Sequence, residues 1–175
     1  PDPVVAHVQR LARALHPEQL PLRVSEVRDE GADCRTWRLV HAQGGPLPPF
    51  RAGQYLSISV EVDGVRVSRP WSLCSTPDEA LEGSYELTIQ RRDEGFVSRA
   101  IWEDWVVGAE VTSSGPEGTF WVDPLRDAEH VVVLAGGVGI TPFRSILRDG
   151  LAHRPELRFT VLHGVRTPAW RLYTA

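Results

Sequence analysis

The strongest constraint on this chain is a change of hydrophobic rhythm near Asp123-Pro124. Before that point apolar and polar residues alternate. Leu56, Ile58, Val60 and Val62 interleave with Ser57, Ser59 and Glu61, and Tyr85, Leu87 and Ile89 interleave with Glu86, Thr88 and Gln90. A period of two sends successive side chains to opposite faces, so these stretches predict half-buried antiparallel strands. After Asp123-Pro124, Val131 to Ala135 is an unbroken apolar run, followed by glycines at 136, 137 and 139. That texture predicts a parallel strand covered on both faces. One chain thus carries two kinds of sheet in series.

Asp63-Gly64 reads as a tight hairpin turn between strands over 56–62 and 65–72. With further strands near 21–28, 35–41, 85–90 and 109–113, the pattern is that of a small antiparallel Greek-key barrel ending near Val122. Pro142 to about Leu151 predicts a helix, and Leu157 to Leu162 a second buried strand, which completes one strand-helix-strand unit. At the other end, Val4, Val8, Leu11 and Leu15 lie on one helical face before Pro17 stops the run, predicting a docking helix outside the main fold. The expected divisions are an N-terminal extension over 1–19, a barrel over 20–124 and an α/β unit over 125–175. A doubly wound sheet needs about five or six strands. The two expected here make the last unit a partial one.

Of the 175 residues, 42% are hydrophobic and 24% charged, enough for a buried core and against disorder. The formal charge of -4, with no block of like charges, argues against nucleic-acid binding. Cys34 and Cys74 alone cannot build a four-thiolate metal or iron-sulfur site, and the six histidines show no paired spacing, so no metal site is expected. No basic leader or long apolar span is apparent, so the expectation is a cytoplasmic protein with reduced thiols and no membrane insertion.

Four segments could carry chemistry. Arg69-Pro70-Trp71-Ser72 ends a strand and offers a guanidinium fork, a flat apolar face and a hydroxyl, which suits a phosphorylated aromatic cofactor. The plain alternative is a solvated arginine, a core tryptophan and a strand-terminal serine. Gly95-Phe96-Val97-Ser98 opens a helical pattern, and its free amides with Arg91 nearby make a place for a dianion; here the alternative is that Ser98 simply caps the helix. Gly136 to Pro142 follows the buried strand. Gly137 and Gly139 allow close approach, Thr141 can cap the helix and Pro142 suits its first turn, giving a pyrophosphate cradle without the usual G-x-G-x-x-G spacing. His163 to Thr167 ends the second strand with Arg166 and no acid, favouring a ribose 2'-phosphate over a free hydroxyl, unless Arg166 is merely an exposed loop residue.

In order and spacing these motifs resemble those of the ferredoxin-NADP reductase family, over about residues 20–170. Arg69-Pro70-Trp71-Ser72 resembles the family's flavin motif R-x-Y-S, with Trp71 in place of tyrosine. Gly95 to Ser98 resembles G-x-x-S, Gly115 to Phe120 resembles G-P-x-G-x-F, and Gly137 to Pro142 resembles the nucleotide loop G-x-G-I-T-P. The resemblance implies a flavin-binding barrel joined to an NAD(P)-binding α/β domain. It implies FAD (alternatively FMN) held by Arg69, Pro70, Trp71, Arg91, Gly95, Phe96, Val97 and Ser98, with Ser72 near flavin N5 as the catalytic contact. It implies NADPH or NADH at Gly137, Gly139, Thr141 and Arg166. The function implied is that of an oxygenase- or desaturase-type reductase component, passing electrons from NAD(P)H to an iron-sulfur protein such as a ferredoxin. The family's C-G-P motif and C-terminal aromatic have no counterpart in these residues, and Arg171-Leu172-Tyr173 is not taken to replace them. Two other readings stand beside it: a non-catalytic flavin- or nucleotide-binding module or a piece of a longer reductase, and a structural barrel without cofactor.

Overall fold

The computed structural model describes residues 3–15, 17–31 and 33–173. Six antiparallel strands come first: β1 (Leu20–Gly31), β2 (Cys34–His41), β3 (Tyr55–Val62), β4 (Val65–Ser72), β5 (Tyr85–Gln90) and β6 (Glu110–Ser113). Their order in the sheet is β4-β3-β6-β1-β2-β5. The last strand inserts between β3 and β1, the long return of a Greek key. The sheet curls until its two edges meet at one place, where Leu73 bridges Leu87 and the Cys74 amide donates to the Glu86 carbonyl at 2.9 Å. The barrel expected from the sequence is thus barrel-like, with a seam rather than a full closing ladder.

The alternation read in the sequence decides which side chains enter the core. Leu56, Ile58 and Val60 are buried on β3, as are Tyr85, Leu87 and Ile89 on β5. Trp37 of β2 is fully buried and donates its indole N–H to the Trp105 carbonyl at 2.9 Å, with Trp102 and Trp105 edge-on to it. Asp63 and Gly64 both take positive φ, 50° and 74°, as a tight hairpin requires. Helix α1 (Pro3–Leu15) forms where its periodicity predicts, and Val4, Val8, Leu11 and Leu15 remain exposed along it. Between β4 and β6 lie α2 (Pro77–Leu81), opened by a capping box of Thr76 and Glu79, and α3 (Phe96–Asp104).

The second part pairs β7 (His130–Gly136) in parallel with β8 (Arg158–Gly164) through α4 (Thr141–His153). The expectation of burial on both faces is not met. Val133 is buried, but Val132, Leu134 and Leu162 are more than half exposed. The physical reason is that α4 lies on one face only, where Gly150 is in contact with Phe159. Residues at even positions, paired as Val132 with Thr160 and Leu134 with Leu162, point the other way.

α4 is seated on the barrel by charged contacts. Arg148 donates to both carboxylate oxygens of Glu79, at 2.9 and 3.1 Å, and His153 lies 2.7 Å from Asp78. Burial pushes the Glu79 carboxyl up, but the hydrogen bonds from Arg148 and the Thr76 amide outweigh it and hold the group below its ordinary range. Both cysteines are buried and unbridged. Burial pushes the Cys34 thiol up to about 11, with Asp33, Glu30 and Asp29 adding to it, and pushes Cys74 upward as well. Neither thiol is therefore expected to react with a disulfide reagent such as DTNB at pH 8 in the native protein, and both should titrate once denaturant is added. A fast-reacting native thiol would contradict this account.

Candidate functional site

The β3–β4 register, fixed by the Asp63-Gly64 turn, sets Arg69 opposite Ile58, Trp71 opposite Leu56 and Ser72 opposite Tyr55. Arg69 and Trp71 therefore share one face of β4, and Ser72 turns to the other. Pro70 costs no ladder bond that matters, because β4 is an edge strand of the sheet. The Arg69 guanidinium is exposed; its hydrogen bond goes to the Ser68 carbonyl at 2.9 Å, and among the described residues no carboxylate lies within ion-pair distance of it. Trp71 is half-buried and packs on the barrel core, so the plain reading of a core tryptophan holds in part, with the remaining face of the ring accessible.

α3 packs against β3, the strand with which β4 is paired. Gly95 is the N-cap residue and supplies no side-chain cap. Ser98 does not cap the helix. Its hydroxyl sits in the third helical position, donates to the Gly95 carbonyl at 3.1 Å and accepts from the Arg92 amide at 3.1 Å, which ties the preceding turn. The first amides of α3 thus lack a side-chain acceptor, a donor set that suits a phosphate. Val97 is buried beneath this turn and Phe96 is half-exposed beside it.

Arg91 leads away from this helix end. With Arg92 and Asp93 it lines one wall of an open cleft of about 510 Å³, whose other walls are Gly136 to Val138, Gly164 to Arg166 and Trp170. Sequence reasoning placed Arg91 with the flavin set. In the structure it faces the glycine turn, partly held by Asp33 at 3.6 Å and lying 5.4 Å from the Trp102 ring centre. The turn itself is a single-turn 3-10 helix over Gly137–Ile140 that runs into α4. Gly137 has φ +50, which favours glycine, and a Cβ at Gly136, Gly137 or Gly139 would meet nothing within 4 Å. The floor of the cleft is accordingly open, as a pyrophosphate cradle requires. His163 Nε2 lies 2.9 Å from the Gly137 carbonyl and fixes the turn against the end of β8. Thr141 does not cap α4 as expected. The N-cap position is Ile140, and Thr141 is a buried first residue followed by Pro142, because the tight turn delivers the chain already helical. Arg166 lines the same cleft with its guanidinium 5.4 Å from the Trp170 ring centre.

Sequence reasoning missed Arg92, Asp33 and Trp170 in this cleft. Arg92 carried a signal as the second of two adjacent arginines at a strand end; Asp33 and Trp170 reach the cleft only through the fold.

A phosphate-suited edge on an antiparallel barrel, joined to a parallel sheet with a glycine cradle at its carboxyl edge, defines the class of two-part flavin and pyridine-nucleotide oxidoreductases. Comparison with known proteins agrees. Residues 21–121 match the family model of the oxidoreductase FAD-binding domain, and residues 133–175 match that of the oxidoreductase NAD-binding domain. The chain belongs to this family of ferredoxin reductase-type proteins, and its cofactor class is FAD with a pyridine nucleotide. It is similar to the reductase subunit of an aromatic O-demethylase of Amycolatopsis, at 33% identity over 172 residues, covering 96% of this chain and 49% of that protein. It is also similar to a flavohemoprotein of Rhizobium meliloti, at 32% identity over 153 residues, covering 83% of this chain and 37% of that one. Among solved structures it resembles phthalate dioxygenase reductase, described as a modular structure for electron transfer from pyridine nucleotides to [2Fe-2S], with TM-score 0.77, 30% identity, and coverage of 89% of this chain and 46% of that chain. The chain thus spans less than half the length of these relatives. Among the described residues no helix is long and apolar enough to cross a membrane.

Proposed function

We propose that this chain forms the flavin- and nucleotide-binding part of a reductase that takes electrons from NADPH or NADH through FAD and delivers them to an iron-sulfur protein of the ferredoxin type. The observation that carries the reading is the cleft in which the barrel's Arg91 and Arg92 face the glycine turn of the parallel sheet. A cleft lined in this way suits a dinucleotide held between the two halves. The flavin supplies the redox chemistry, and the protein's part is to bind, orient and stabilise charge.

Arg69 holds a flavin phosphate with its exposed guanidinium. Trp71, one face against the core, offers the other to the ring, and Ser72 places a hydroxyl at the end of β4 as the catalytic contact. At the turn that Gly95 forms, the uncapped amides of Phe96, Val97 and Ser98 take the remaining phosphate charge. Gly137 and Gly139, with Thr141 starting α4, receive the nucleotide pyrophosphate, and Arg91 closes that wall. Partner choice rests on what the phthalate reductase is described as doing, and the cytoplasmic setting on two buried, unbridged cysteines.

The absorption spectrum of the purified protein tests this. Flavin bands that bleach on adding NADPH support the reductase; bands that persist leave a binding module, and their absence after loading with FAD overturns the reading. Cofactor preference gives a finer test. Arg166 brings a cation to the end of β8, on the same cleft, where it can meet a 2'-phosphate, and a charge-assisted contact is worth about 1.5–3 kcal/mol. Arg166→Ala is therefore expected to reduce the NADPH-over-NADH binding ratio about 10- to 100-fold, read by titration of each nucleotide. An unchanged ratio would remove Arg166 from phosphate recognition.

A further inference from the structure

We propose that Arg144 is a positioning residue that seats the glycine turn against the flavin strand, an inference that rests on the reductase reading above for its consequence but not for its geometry. Arg144 lies in the first turn of α4, three residues after Thr141. One of its nitrogens, Nη1, donates both to the Cys74 carbonyl and to Oε2 of Glu86, each at 2.8 Å. Cys74 is two residues beyond Ser72, and its own amide is held by the Glu86 carbonyl. One residue of β5 therefore holds the end of the flavin strand through its backbone and the start of α4 through its side chain.

The Glu86 side chain is only 6% exposed, and its other oxygen accepts from Arg28 of β1 at 2.6 Å. A carboxylate shared in this way between two guanidinium groups permits few alternative arrangements, because moving α4 leaves a buried charge short of a partner. Tyr173 adds a second side to the socket: its ring centre is 4.9 Å from the Arg144 guanidinium, and its hydroxyl donates to Thr88 at 2.6 Å. Burial opposes the Arg144 charge, but Cys74, Glu86 and Tyr173 more than offset that and hold its pKa above the usual value. The other charged contacts of α4 differ. Arg148 with Glu79 and His153 with Asp78 involve more exposed side chains, and such pairs tolerate rearrangement in water. Seating is set at Arg144, and the outer pairs follow it.

The test is a distance measurement. Nitroxide labels at Val65→Cys on the barrel and Leu151→Cys on α4, both exposed positions, report the separation of the two halves by pulsed electron paramagnetic resonance. The buried Cys34 and Cys74 thiols stay unlabelled. The native chain is expected to give one narrow distance distribution. Arg144→Met should broaden it and add a shifted population, whereas Arg148→Met, which breaks the outer pair, should leave it unchanged. Glu86→Gln keeps the shape but removes the charge and leaves one acceptor oxygen for two guanidinium groups, so it serves where Arg144→Met does not fold, and it too should broaden the distribution. Flavin retention should stay within about twofold in each variant, while flavin reduction at saturating NADPH falls at least tenfold for Arg144→Met and Glu86→Gln and is unchanged for Arg148→Met. An unchanged distribution in both Arg144→Met and Glu86→Gln, or equal broadening in Arg148→Met, overturns the proposal. The distance readout needs no bound flavin, so failure to bind flavin sinks the reductase reading and leaves this one to be judged separately.

Discussion

Arg69→Ala is expected to empty the barrel of flavin, and Ser72→Ala to leave it loaded but slow. The Arg69 guanidinium is exposed, with the Ser68 carbonyl as its hydrogen-bond partner and, among the described residues, no carboxylate to compensate it. Removing it therefore costs the fold almost nothing and costs phosphate binding one charge-assisted contact, about 1.5–3 kcal/mol, or about 10- to 100-fold in Kd. Ser72 faces the other side of β4 and is half-buried. A hydroxyl there bears on charge that develops during reduction rather than on a phosphate held throughout, so its removal should slow flavin reduction on the order of 100-fold with retention unchanged. Equilibrium dialysis against FAD and stopped-flow bleaching by NADPH separate the two effects. Flavin loss in Ser72→Ala with retention in Arg69→Ala would reverse the assigned roles.

Gly53→Ala is expected to be the most damaging single methyl group in the chain. Gly53 has φ +105, and a Cβ there would stand 1.8 Å from the Phe120 carbonyl oxygen. The two turns involved are clamped to each other: Gln54 donates to the Gly118 carbonyl at 3.0 Å, and Tyr55 and Glu117 exchange backbone bonds. Neither can move aside alone, and Phe120 also meets Phe143 of α4 edge-on at 5.5 Å. Backbone strain and overpacking each contribute about 1–3 kcal/mol, so a loss of about 3–5 kcal/mol is expected, out of a total that is itself about 5–15 kcal/mol. For a chain of this size that lowers the melting temperature on the order of 10 °C. A thermal melt within about 2 °C of the native protein would show that the clamp yields.

The six barrel strands, the hairpin at Asp63-Gly64, α4 and both parallel strands were legible because each obeys a local rule: alternation, a positive-φ pair, or an apolar run closed by glycines. The β4 and glycine-turn motifs were legible as spacings of donors along one segment. What stayed hidden depends on elements distant in sequence. Glu86 reads as the polar half of an alternating strand, yet it is buried, because guanidinium groups from β1 and α4 converge on it. Gly53 carries no motif of its own, and its necessity comes from a turn more than sixty residues later. The exposure of Val132 and Leu134 was illegible for the opposite reason: an apolar run reports that cover is suited to it, and the position of α4 decides which face receives it.

The short seam between β4 and β5 has a mechanical consequence. A barrel hydrogen-bonded around its whole circumference must break a ladder to admit anything wider than a side chain. Here the ladder is interrupted beside Ser72, where the Leu73–Leu87 bridge, the Cys74 amide on the Glu86 carbonyl and the Glu86 amide on the Ser75 hydroxyl carry the join. β4, which bears Arg69 and Trp71, is paired along its length with β3 and otherwise lies at an edge of the sheet. The outer rim of an edge strand carries no ladder, so a flat group laid along it would displace no strand-to-strand bond.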